Sequence, residues 1–140
     1  MNLGFLINMF TDKEINLLNS ITEGFSKEAK HAYLQSFDEF MNDWYNFVEK
    51  VERGYSMTID DYTNDLTKRD LIAKLLEQVP DTLKNKVNAL VDPWDKRFDK
   101  ATNALKSPIF GEGNKPWWKY RIPKKLTGDL QEDIIALKIK

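Results

Sequence analysis

The chain contains no cysteine and a single histidine, His31. Without cysteine there is no disulfide framework, no thiolate metal site and no cysteine nucleophile, and nothing points to an oxidising compartment. One histidine rules out most histidine-based metal centres and narrows acid–base chemistry. Long hydrophobic runs are also missing: no apolar stretch approaches the roughly 18 residues of a membrane span. Net charge is nearly absent, at -1 from 21 Lys+Arg and 22 Asp+Glu. That near-neutrality excludes a protein that binds polyanions generically through its overall charge.

What the chain does have is 41% hydrophobic and 12% aromatic residues across 140 positions. This composition is too apolar for disorder and suits one folded domain, residues 1–140. The opening Met1–Phe10 is apolar, but it lacks a basic leader and a small-residue cleavage site, so it reads as a segment packed on the core or an interaction arm rather than a signal peptide. Cytoplasmic residence is expected by default. The neutral total conceals an asymmetry. Residues 1–65 hold 12 acids against 5 bases, a balance of -7, whereas residues 66–140 hold 10 acids against 16 bases, a balance of +6.

Helical signals run along most of the chain. Thr11-Asp12-Lys13-Glu14 has capping-box spacing, with Phe10 and Ile15 placed as a hydrophobic staple; Ile15, Leu17, Leu18 and Ile21 form the stripe, and Gly24 suits its end. Ser26 then reads as the cap of a long helix reaching Arg53, where Gly54 stops it. Its apolar residues Tyr33, Phe37, Phe40, Trp44, Phe47 and Val51 recur at alternating spacings of four and three, widened by Met41 and Val48. At about 27 residues such a helix would be about 40 Å long, the spine of a bundle. Residues 55–66 predict a turn or short helix capped by Thr58 or Asp60. Thr67 to Asp70 repeats the capping-box spacing before Leu71, Ile72, Leu75, Leu76 and Val79, and Pro80 ends that helix. Leu83, Val87, Leu90 and Val91 predict the next, and Asp92-Pro93 reads as cap and first residue of another carrying Trp94, Phe98, Ala101 and Leu105. Residues 107–125 hold Pro108, Pro116, Pro123, Gly111 and Gly113, so an irregular loop is expected there. A final helix covers Asp129 to Lys138, with Leu130, Ile134 and Leu137 inward. The predicted class is all-α, a single-domain bundle of five to six helices with a long irregular loop before the last.

Two features carry candidate function. Residues 36–65 contain eight acids against Lys50 and Arg53, and Asp38, Glu39, Asp43, Asp60, Asp61 and Asp65 read either as a solvated face or as a site for a basic protein partner, with Tyr45 and Tyr62 as aromatic hot spots. The segment Lys115–Lys125 has five cations, no acid and three aromatics. Lys115, Trp117, Trp118, Lys119, Tyr120 and Arg121 read as a strip that stacks bases and neutralises phosphates, or as anchors that fasten a long loop.

Catalytic and metal readings find little support. A di-metal bundle needs Glu-x-x-His pairs on two helices and the chain has one histidine, Asp60-Asp61-x-x-x-Asp65 lacks the alternation of a calcium loop, and Gly111-Glu112-Gly113-Asn114-Lys115 departs from a phosphate loop. No cofactor, metal site or catalytic residue is predicted, and His31 reads as an ordinary exposed side chain.

In build, an all-helical, cysteine-free, near-neutral domain with an acidic, aromatic-rich surface, the chain resembles the small cytoplasmic immunity proteins that bacteria make against nuclease-type toxins. The resemblance implies a stoichiometric inhibitor that locks a basic toxin through Asp38, Glu39, Asp43, Asp60, Asp61 and Asp65. A nucleic-acid-associated protein and a structural or adaptor protein, the last marked by self-association, are the alternatives.

Overall fold

The computed structural model describes residues 9–140, in which capping chemistry sets where most helices begin. Thr11 with Glu14, Ser36 with Glu39 and Thr58 with Asp61 each form a complete capping box, opening α1 (Asp12–Glu28), α2 (Phe37–Arg53) and α3 (Ile59–Gln78). Pro80 precedes α4 (Asp81–Ala101), and the chain continues through β1 (Thr102–Ala104), a 3-10 turn (Trp117–Tyr120), β2 (Arg121–Pro123) and α5 (Gly128–Leu137). Among the described residues, five helices and one small two-stranded sheet make this a mostly helical fold, as predicted. Among the described helices, none is long and apolar enough to cross a membrane. Of the opening segment, Phe10 is buried and Met9 exposed; the rest lies outside the described residues.

Three predicted boundaries are corrected. Gly24 does not end α1, and Ser26 does not start a helix. Instead, Ser26 lies inside α1, donates to the Thr22 carbonyl and accepts the Gln35 amide at 3.1 Å, while the Thr22 hydroxyl donates to the Gln35 carbonyl at 2.8 Å. Gln35 is thus pinned to α1 by both of its backbone groups. The chain reverses there, and Tyr33 leaves the seam for solvent. The rest of the seam holds: Phe37, Phe40, Met41, Trp44, Phe47, Val48 and Val51 are all buried along the 17 residues of α2.

The second correction concerns α3, which starts under Thr58 and runs without a break for 20 residues. Thr67 is no cap; its hydroxyl donates to the Asn64 carbonyl within the helix. Third, Asp92-Pro93 starts nothing. Pro93 sits inside α4, and because Pro93 and Ala89 are both exposed, water can satisfy the carbonyl that the proline leaves without a donor. One buried stripe, Leu83, Val87, Leu90, Val91, Trp94 and Phe98, therefore serves a single helix.

At the centre, Trp44, Phe47, Tyr55, Tyr62 and Phe98 pack ring against ring, with centroids 5.1 to 5.9 Å apart. Each buried aromatic of this size removes roughly 150–250 Å² from water. The region expected to be wholly irregular contains an antiparallel pairing of Thr102 with Pro123, Asn103 with Ile122 and Ala104 with Arg121. Gly128 opens α5 at φ +54°, and a Cβ there would stand 2.8 Å from the Ser56 carbonyl oxygen. The close approach lets the Asp129 amide reach that carbonyl at 2.9 Å and the Asp133 carboxylate accept the Ile59 amide at 2.8 Å, so α5 helps to cap α3. Leu130 is buried and Ile134 partly so, but Leu137 is 55% exposed rather than inward.

Candidate functional site

Most of the predicted acidic face is occupied by the fold's own hydrogen bonds. Glu39 and Asp61 are the returning halves of capping boxes. The Asp43 carboxylate accepts from the Gln35 side chain at 2.6 Å, and Asp65 accepts from the Tyr55 hydroxyl at 2.7 Å while pairing with Lys68 at 3.2 Å. Asp38 has one buried carboxylate oxygen without a hydrogen-bond partner, as does the Asn42 amide oxygen one turn later. Asp60 alone of the set is exposed.

The two tyrosines point inward. Tyr45 is buried against Trp94, its ring 5.2 Å from the Arg97 guanidinium, and Tyr62 is fully buried with its hydroxyl donating to the Arg121 carbonyl. Burial pushes the phenols of Tyr55 and Tyr62 well above the ordinary range. Neither Tyr45 nor Tyr62 can be a docking hot spot in this fold, because no surface of either is free to bury.

The basic–aromatic strip is likewise turned toward the protein. The Trp118 indole is buried and donates to Asp70 at 2.7 Å, Lys119 pairs with the same carboxylate at 2.7 Å, and Arg121 reaches the Thr102 hydroxyl, the Asp99 carbonyl and the Asp99 carboxylate. The Tyr120 hydroxyl donates to the Gly113 carbonyl, tying the loop to itself. Lys115 stays exposed, and Trp117 is 39% exposed against Phe98. These contacts are those of loop anchors.

Beneath the strip lies a polar chain that sequence reasoning missed. Asp95 receives the Trp44 indole N–H at 3.1 Å and a forked pair of bonds from Arg69, at 3.0 Å from Nε and 2.9 Å from Nη2; the Arg69 guanidinium lies 4.5 Å from the Trp118 ring centre. Arg69 Nη1 is buried without a partner. Burial raises the Asp95 carboxyl above the ordinary aspartate range, outweighing the opposing pull of Arg69 and Trp44. A buried arginine inside an amphipathic pattern was the available signal. Its partner, 26 residues on, had no local signature.

Two adjoining clefts flank the outer side of α3. A cleft of about 470 Å³ is lined by Asp60, Thr63, Asn64, Phe110, Lys115 and other residues. A second, of about 460 Å³, has Tyr33, Asp43, Lys68, Leu71 and His31 in its wall. Both share Asn64 and Thr67, so the two form one surface divided by the α3 ridge. Three large apolar side chains stand exposed in these clefts, two of them aromatic: Tyr33 is 60% exposed, Phe110 52% and Leu71 37%. Asp43 and Asp60 from the acidic set and Lys115 and Lys119 from the strip are thereby brought to the same face. His31 is exposed in the turn after α1, and no group of three or more acidic or histidine side chains among the described residues is placed to hold a metal ion.

Comparison with known proteins finds no matching family model, no matching curated protein and no matching solved structure.

Proposed function

We propose that this protein is a protein-binding module, a stoichiometric inhibitor of the immunity type that docks a basic, nuclease-type toxin on the outer face of α3. The observation that supports it is the pair of adjoining clefts with Tyr33 and Phe110 exposed in their walls. Aromatic side chains left in solvent beside concave surfaces are the anchors around which protein interfaces concentrate their binding energy. The cations at the face are largely neutralised: Lys68 pairs with Asp65 and Lys119 with Asp70. Asp43 and Asp60 then stand against Lys115, a small acidic excess that favours a basic partner and its orientation more than its affinity. The alternative through the Lys115–Arg121 strip has less to work with, since Trp118, Lys119 and Arg121 are engaged internally.

The test is titration of purified nuclease domains encoded next to this chain's gene. The reading expects loss of nuclease activity that saturates at one inhibitor per enzyme. Tyr33→Ala and Phe110→Ala should each weaken inhibition at least about tenfold with little change in melting temperature, as exposed anchors do. Full inhibition by the Tyr33→Ala/Phe110→Ala double variant, or no complex with any such domain, would sink it.

A further inference from the structure

The helices α2 and α4 run the same way. Tyr45 packs on Trp94 and, further along both, Glu52 pairs with Arg97, whose Nε donates at 3.0 Å. Their last turns therefore finish at one end of the molecule, bringing Lys50 and Arg53 together with Lys100. The chain leaving β2 returns to this end. The Lys124 amide donates to the Ala101 carbonyl at 2.9 Å, and the Lys125 Cβ lies 3.8 Å from where a Cβ on Gly54 would be. Three segments far apart in sequence thus meet at this end of the molecule, and the cations they carry there, Lys50, Arg53, Lys100, Lys124 and Lys125, are all exposed.

Two ordinary explanations fall short of consuming this charge. Among the neighbouring acids, Glu52 pairs with Arg97 and Asp99 with Arg121, Glu49 reaches Arg53 at 3.7 Å, and the exposed Asp129, whose amide bonds the Ser56 carbonyl, offsets at most one cation more. The helix macrodipoles supply about half a negative charge at each of the two C-termini, roughly one in all against five cations. A surplus remains.

We propose that this basic end is a second docking surface, distinct from the α3 face, and that it takes the phosphate backbone of a nucleic acid without reading its bases. Four of the five cations are lysines, mobile point charges that neutralise phosphates by releasing counterions and need no fixed geometry. Recognition of an acidic protein would call for a desolvated anchor among the charges, and membrane attachment for an apolar insertion beside them.

The experiment is fluorescence anisotropy of a labelled 20-base-pair DNA duplex titrated with the full chain at several salt concentrations. Binding should weaken with salt at a logarithmic slope of about -2.7 to -4.5, the value for three to five phosphates. The Lys100→Glu/Lys124→Glu/Lys125→Glu variant should lose at least about tenfold, while Lys13→Glu/Lys27→Glu/Lys30→Glu, with the same charge change on α1 and the turn after it, stays within about twofold. Circular dichroism melting of both variants establishes that they fold. Three outcomes overturn the proposal: no duplex binding at low salt, equal losses in the two variants, or tighter binding to anionic phosphatidylserine vesicles than to DNA. Tyr33→Ala leaves this binding unchanged, so the α3-face reading and this one fail separately.

Discussion

Thr58 and Asp61 exchange hydrogen bonds at the head of α3. The Asp61 amide donates to the Thr58 hydroxyl at 3.1 Å, and the Asp61 carboxylate accepts from both the Thr58 amide at 3.3 Å and the Thr58 hydroxyl at 2.8 Å. Helix-start amides that lack such partners must find water or go unpaired. The adjacent Asp60 is exposed, with no ion pair among the described residues. These neighbouring carboxylates should separate cleanly in thermal melts. Asp61→Ala should cost about 1 kcal/mol, the usual value of a lost cap, and lower the melting temperature by about 2–5 °C. Asp60→Ala should leave the melt unchanged and, on the proposed function, weaken docking. Equal melts for the two variants would mean that the capping box contributes nothing.

At the scale of elements, α1 closes with an unusual residue. The His31 amide donates to the Ser26 carbonyl and the Lys30 amide to the Lys27 carbonyl, the two bonds of a Schellman motif, with Lys30 at φ +57° in the position glycine normally takes. A side chain in that left-handed conformation costs roughly 1 kcal/mol. Lys30→Gly should therefore raise the unfolding free energy by about 0.5–1 kcal/mol, measured by urea denaturation; a loss would show that the lysine stem packs in a way that offsets its strain. This ending also explains why the first helix boundary was hard to read. Gly24 and Ser26 are ordinary stop and start residues, but here they lie inside a helix whose real end is carried by a lysine. The true start of α2 was legible, since Ser36-Phe37-Asp38-Glu39 is a capping box, yet the spacing of Tyr33 continued the seam past it. Periodicity is a statement about one face of a helix, and it persists across a reversal when the first residue beyond happens to be aromatic. The α3 and α4 errors share a cause. Thr67 and Pro93 are local signals that lose to a helix already propagating, because nucleation is costly and extension is not. Core residues were more legible than boundaries, since burial needs only apolar character on the right face. The candidate site was less legible still: Asp38 to Asp65 are close in sequence, whereas the accessible face joins Tyr33 to Phe110.

For the whole molecule, the opposition between an acidic N-terminal portion and a basic C-terminal portion is partly consumed within the fold. Glu14 pairs with Lys86, Glu28 with Lys74 and Glu52 with Arg97, each joining the two portions. Where these pairs are exposed, each is worth at most about 1 kcal/mol, so they bias orientation more than they hold the structure. The buried chain through Asp95 differs, because it ties α2, α3 and α4 to the indole that anchors the loop. Its carboxyl is raised above the ordinary aspartate value of 3.8, with burial the dominant cause. The folded protein therefore holds that proton more tightly than the unfolded chain does. The stability this contributes is complete below 3.8 and is lost as the pH rises through the raised value. Asp95→Asn cannot ionise and so lacks this dependence. Urea midpoints of the wild type and Asp95→Asn, measured from about pH 3 to about pH 7, should show the wild type's advantage shrinking as the pH climbs. An advantage that grows instead would mean that the attraction of Arg69 outweighs the burial of Asp95, and that the ion pair, rather than the surrounding aromatic packing, holds the loop to the core.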